Sequence, residues 1–181
     1  LVGPLAEILV ELDPDAVLVV GDRYELLAVA TACVTAGLPL AHLSGGELTE
    51  GAVDDSVRHA VTKLAHLHFV SNADFARRVR QMGEEDWRVA VTGEPAIDAL
   101  LDVEVPSRNI LSAAVGLDLS RPTALLTLHP ETIGGADPGA MAEAVLAGLG
   151  AADVQVLATH PGPDAGRDAI VDAIEAFAVA R

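Results

Sequence analysis

The feature that most constrains this chain is its rhythm. Short aliphatic runs alternate with longer segments of helical period, and Gly, Pro or a polar cluster separates nearly every pair. Ala16–Val20 (AVLVV) is a continuous apolar run of the kind found in a strand buried on both faces. Leu38–Leu43, Leu67–Ser71, Arg88–Val91, Thr123–Leu128 and Val154–Ala158 are read as the further strands. Helical segments are expected at 4–12, 24–36, 53–65, from Ser71 or Asn72 to Met82–Gly83, after TGEPAID, at 108–115, 139–148 and 167–179. Gly37 is a C-terminal helix stop and Pro39 bars continuation. Strict alternation of strand, loop and helix implies a parallel sheet with helices on both faces. In such sheets ligands sit beyond the carboxyl ends of the strands.

Composition narrows the function. The 181 residues are 51% apolar but only 3% aromatic, so the core is aliphatic and alanine-rich and disorder is excluded. With 27 acids against 11 bases the net charge is −16, which disfavours phosphate backbones and anionic lipid surfaces as partners. A single cysteine, Cys33, excludes an intrachain disulfide framework and multi-cysteine zinc sites. Lys63 is the only lysine among the bases, a bias that suits a salt-adapted or high-GC source or a simple solubility role. No apolar run is long enough to span a membrane, and LVGPLAEILVELDPD lacks both the basic start of a signal peptide and an initiating Met. The chain is therefore expected to be incomplete. Composition loosens around Asp102–Ser107, and LDLSRP follows Gly116. This divides the chain into residues 1–105, a hinge at 106–122, and residues 123–181.

The residues after each strand carry the chemistry. Asp22 and Arg23 follow the first; His42, Ser44, Gly45, Gly46 and Glu47 follow the second; Asp54, Asp55, Arg58 and His59 open the next helix. His129, Glu131 and Thr132 end the strand beyond the hinge, and His160 ends the last. Each also has a plain structural reading. Asp22 suits a helix N-cap, Glu47 a solvated loop acid, Asp54 and Asp55 the helix dipole, and Arg58 a surface i,i+4 pair with Asp54. Gly45-Gly46 suits an ordinary turn, and His66 and His68 read as structural. His129 before Pro130 is a strand-end proton or phosphate handler. His42 with Glu47, or His129 with Glu131, lacks the spacing of a zinc helix; no metal is called for, and G-x-S-x-G, Walker A and G-x-G-x-x-G patterns are absent.

Taken together, GDRYE at 21–25, HLSGGELTEGAVDDSVRHAVTKLAHLHF at 42–69 and LHPET at 128–132 resemble the UDP-N-acetylglucosamine 2-epimerase family. The branch that is hydrolysing and feeds sialic-acid-type sugars is most similar, and the likeness runs over nearly the whole chain. The resemblance implies two Rossmann-like (GT-B-type) parallel-sheet domains, both incomplete here, with the nucleotide sugar in the cleft between them. It implies elimination of UDP from a UDP-acetamido sugar, then addition of water to release a ManNAc-type sugar. It brings no cofactor. By motif, Asp22, Glu47, Asp54 and His129 are the implied catalytic residues, and Arg23, His42, Ser44, Arg58 and Thr132 the implied substrate-binding ones. Ser44 stands where the family often carries a catalytic Glu, which shifts attention to Glu47. A cytoplasmic dimer or tetramer is expected for the whole protein, and the isolated portion is expected to be inactive. The alternatives are the non-hydrolysing epimerase, which returns an intact nucleotide sugar, and a non-catalytic nucleotide-sugar-binding fragment.

Overall fold

The computed structural model describes residues 1–180, in two compact units, Leu1–Val103 and from Glu104 onward. The first unit runs α1 (Val2–Leu12), β1 (Val17–Val20), α2 (Leu26–Ala36), β2 (Leu40–Leu43), α3 (Asp54–Leu64), β3 (Leu67–Val70), α4 (Ala73–Gln81), a single 3-10 turn (Asp86–Arg88), β4 (Val89–Val91) and α5 (Pro95–Asp102). Its four strands pair in parallel in the order β1-β2-β3-β4. The second unit runs α6 (Arg108–Val115), β5 (Thr123–Thr127), α7 (Pro138–Ala151), β6 (Gln155–Thr159) and α8 (Arg167–Val179), with β5 and β6 parallel.

Local chemistry explains the boundaries. Gly37 and Gly116 adopt the left-handed conformation that closes α2 and α6. Of the two candidate caps for α4 it is Asn72 whose side chain accepts from the Asp74 and Phe75 amides. Pro95 and Pro138 open α5 and α7, where a missing N–H is harmless.

Register shows which side of the first sheet is covered. Val17 pairs with Leu40 and Val19 with His42, so these four share one face; His68, Val70 and Val89 continue it. On that face Val19 and Leu40 pack with Ala30 and Cys33 of α2 and Val57 and Val61 of α3. Val70 and Val89 pack with Ala76 and Val79 of α4. The intervening residues of β1 behave differently: Leu18 is 60% and Val20 58% exposed. The expectation that AVLVV is buried on both faces is thus corrected, because α2, α3 and α4 all pack on the side of Val19. In the second unit, Leu126 packs with Ala142 and Leu146 of α7 and Ile170 and Ile174 of α8.

Two glycines at carboxyl strand ends differ in what they require. Gly46 has φ 79°, and a Cβ there would lie 2.5 Å from the Phe75 carbonyl oxygen and 2.9 Å from Val79. Gly21 has φ 82° but open space around a Cβ. Gly21→Ala should cost about 1–2 kcal/mol, the conformational term alone. Gly46→Ala should cost more, by about 1–3 kcal/mol of overpacking. Urea unfolding of both variants beside the parent checks this, with equal midpoints contradicting the close approach.

Candidate active site

The site in the first unit grows from the end of β1. Gly21 turns the chain out of the sheet, its amide donating to the Leu43 carbonyl at 3.0 Å. Asp22 follows, and its carboxylate accepts from Arg58 Nη2. It is not a helix cap: α2 begins at Leu26 after Glu25, with no side-chain cap bond.

Arg58 is the centre of the cluster. Its side chain is 2% exposed, so the surface pair with Asp54 is replaced by a buried set of contacts. Nη1 donates to Asp55 Oδ1 at 2.5 Å and to the Glu47 carbonyl at 3.0 Å. Nη2 donates to Asp22 and, at 2.9 Å, to Thr49 Oγ1. A guanidinium stays protonated when buried, so it needs anionic partners, and its planar fork can serve two at once. One side chain thereby joins the end of β1, the loop 44–51 and the first turn of α3. Asp55 further accepts from the Thr49 amide at 2.7 Å.

Other contacts hold the loop against the sheet. Ser44 adopts φ 64°, unusual for a residue with a Cβ, and its amide donates to the Phe69 carbonyl at 2.9 Å. Arg78 on α4 donates to the Gly46 carbonyl, and Ser71 Oγ lies 3.4 Å from Glu47 Oε1. Glu47 is half-buried, with its backbone carbonyl tied to Arg58, so it is more than a solvated loop acid.

His42 is wholly buried, and both ring nitrogens are engaged within the chain. Nε2 lies 2.7 Å from the Gly21 carbonyl and Nδ1 3.1 Å from Thr62 Oγ1. Both ring nitrogens are thus taken up inside the chain, Nε2 at the carbonyl that directly precedes Asp22. Burial pushes its pKa down, against the opposing pull of the Gly21 carbonyl. His66 and His68 are structural, as read. His66 Nδ1 accepts from the Leu40 amide at 3.1 Å. Buried His68 meets Glu84 at 3.2 Å, and Glu84 also accepts from Lys63 at 2.5 Å. Burial alone would raise the Glu84 pKa, but Lys63 and His68 outweigh it and hold it low.

Among the other implied residues, Asp54 lies in the first turn of α3. Arg23 is exposed, with its guanidinium 2.7 Å from Glu25. In the second unit, exposed His129 and half-buried Thr132 follow β5. Thr127 and Thr159 join the ends of β5 and β6 through a 2.9 Å hydroxyl contact, so the His129-Pro130 and His160-Pro161 pairs leave the same edge of that sheet. A cavity of about 620 Å³ in this unit is lined by apolar residues such as Leu146, Val156 and Phe177 and contains none of these groups. Among the described residues no cluster of His, Cys, Asp and Glu could hold a metal ion, and no helix is long and apolar enough to cross a membrane.

Thr49, Thr62 and Arg78 are site elements that the sequence reading leaves out, and Asp55 reads there only as one of two first-turn acids. The i,i+3 spacing of Asp55 and Arg58 and the i,i+4 spacing of Arg58 and Thr62 are the signals that place two of them, Asp55 and Thr62, on one face of α3 with Arg58.

Asp22 after β1 and Asp55 in the first turn of α3 thus meet one buried arginine on a parallel α/β frame. The family model for UDP-N-acetylglucosamine 2-epimerase matches residues 1–181. The chain belongs to that family. It is 43% identical over 123 residues to the GDP/UDP-N,N'-diacetylbacillosamine 2-epimerase (hydrolyzing) of Campylobacter jejuni, covering 68% of this chain and 32% of that relative. It is 32% identical over 164 residues to the UDP-N,N'-diacetylbacillosamine 2-epimerase (hydrolyzing) of Legionella pneumophila, covering 91% and 43%. The chain thus spans less than half the length of either relative. The crystal structure of UDP-GlcNAc 2-epimerase from Neisseria meningitidis bound to UDP-GlcNAc superposes with a TM-score of 0.80 at 18% identity, covering 97% of this chain and 50% of that one, a match of fold.

The buried histidine makes stability depend on pH with a definite sign. In the unfolded chain His42 takes up a proton near its ordinary pKa of 6.5, whereas the folded chain holds it neutral to lower pH. Stability is therefore full above 6.5 and is lost as pH falls below it, by up to about 1.4 kcal/mol per pH unit. His42→Gln has no such proton to take up. The stability difference between parent and variant should shrink between pH 7.5 and pH 5, measured by urea unfolding; a constant difference would contradict the neutral buried ring.

Proposed function

We propose that this chain carries the acid–base part of a hydrolysing 2-epimerase acting on a UDP-acetamido sugar. The observation that carries the reading is the Asp22–Arg58–Asp55 cluster beside Glu47, at the carboxyl ends of parallel strands. Two relatives whose names specify hydrolysis support the branch.

The reaction sets the physical requirements. A base removes the C2 proton, the C1–O bond breaks, and UDP leaves with that electron pair, giving a 2-acetamidoglucal. Water then adds its hydroxyl at C1, while a proton returns to C2 on the opposite face. A weakly acidic C–H needs a carboxylate at a fixed position, and the departing diphosphate needs donors. Asp22 is held in place by Arg58 and takes the role of the base. Glu47 supplies the second acid and Asp54 a third for proton transfer. Ser44, in the left-handed conformation, cannot act as a carboxylate base. Arg23 and Thr132 are assigned to substrate binding, and His129 to the diphosphate. We read residues 1–105 and 123–181 as portions of the two Rossmann-like domains, in a cytoplasmic protein that assembles from like subunits.

The assay is product analysis with UDP-GlcNAc and with the UDP-diacetamido sugar, run in D2O by NMR on the whole protein that contains this chain. Free 2-epimeric sugar, one deuteron at C2 and UDP are expected. An intact UDP-sugar epimer would move the protein to the non-hydrolysing reaction, and binding without turnover would make it a nucleotide-sugar-binding protein. Asp22→Asn should lower kcat by about 10²–10⁴-fold, the scale of a general acid–base group. His129→Ala should weaken UDP binding by about 1.5–3 kcal/mol, one charge-assisted hydrogen bond. Unchanged kcat in the first, or unchanged UDP affinity in the second, contradicts the assigned roles.

A further inference from the structure

We propose that Thr62 and His42 form a positioning pair that sets the Gly21–Asp22 peptide, and with it the Asp22 carboxylate. The inference rests on the epimerase reading of the site.

The hydrogen directions follow from what each group can do. The Gly21 carbonyl oxygen, 2.7 Å from His42 Nε2, can only accept, so Nε2 carries the ring hydrogen. Nδ1 of the neutral ring is then an acceptor, and Thr62 Oγ1, 3.1 Å away, must donate to it. The relay runs one way, from the Thr62 hydroxyl through the ring to the carbonyl that directly precedes Asp22. Both side chains are fully buried, so water cannot replace either bond.

Gly21 needs such a restraint. It sits at φ 82°, and nothing lies within 4 Å of where a Cβ would stand, so side-chain packing does not fix this turn. Its hydrogen bonds do: the amide to Leu43 and the carbonyl to His42. Thr62 lies one helical turn beyond Arg58 on the same buried face of α3. The helix therefore reaches Asp22 twice, directly through the guanidinium and indirectly through Thr62 and the imidazole. Gly45 closes over the relay: a Cβ there would stand 3.1 Å from Thr62 Oγ1 and 3.2 Å from His42 Nδ1. Gly45 is thus matched to this contact, which gives the SGGE loop a reason for its first glycine.

A small rotation of the Gly21–Asp22 peptide moves the carboxylate relative to the sugar without removing any group that binds it. Such misplacement acts on turnover more than on substrate affinity. The test compares Thr62→Val, which keeps the shape but removes the hydroxyl, with Thr62→Ser, which keeps the hydroxyl, in the whole protein that contains this chain. Thr62→Val should lower kcat by about 10–100-fold with KM within about twofold, and Thr62→Ser should recover most of the loss. Nitrogen-15 NMR of the parent protein should show His42 as the Nε2–H tautomer, a signature that needs no variant to fold. Parent-like kcat in Thr62→Val, equal losses in both variants, or an Nδ1–H tautomer each overturns the proposal. A parent with the Nε2–H tautomer but no turnover of UDP-sugars overturns the epimerase reading, and with it the catalytic purpose of the pair, while showing that the relay itself is built as described.

Discussion

A guanidinium buried to within 2% of full enclosure is the constraint on which the first unit is arranged. Arg58 cannot shed its charge, and an unpaired cation in that position would cost several kcal/mol. The chain answers by bringing carboxylates from two directions, Asp22 from the end of β1 and Asp55 from the same helix. Backbone and hydroxyl oxygens of the loop, at Glu47 and Thr49, join the set, and only Nε is left without a hydrogen-bond partner. Much of the geometry around the strand ends follows. The loop must pass close over α3 and α4, which requires glycine at 46 and leaves little room at Gly45, and Arg78 then closes on the Gly46 carbonyl.

Such a cluster is a poor source of stability by itself, because desolvating the charges offsets most of their attraction. Its value lies in position. Both carboxylates remain about a third exposed, so they can meet a solute while the arginine behind them stays fixed. Carboxylates held by a buried guanidinium keep a fixed place, which a freely rotating pair on the surface would not.

The alternation of aliphatic runs and helical periods made the strands and helices legible, since short parallel strands and their crossover helices have distinct periods. The covering of the sheet was not: AVLVV has the same composition whether one face or both are packed, and only register shows Leu18 and Val20 on the open side. Within the site, the acidic and basic residues at strand ends stood out by type. Their pairing did not. Asp54 and Asp55 are equivalent in sequence as first-turn acids, and it is the helix rotation that sets Asp55 at 2.5 Å from Arg58. His42 stood out as a polar strand-end residue, yet β2 turns its ring toward α3, where Thr62 meets it.

Arg58 holds Asp22 in place. A double-mutant cycle of Asp22→Asn and Arg58→Met, read by urea unfolding near neutral pH, measures that link directly. A coupling energy above about 1 kcal/mol between the two positions is predicted, as for residues in one ion-pair network. Additivity within about 0.3–0.5 kcal/mol, the behaviour of independent sites, would contradict it.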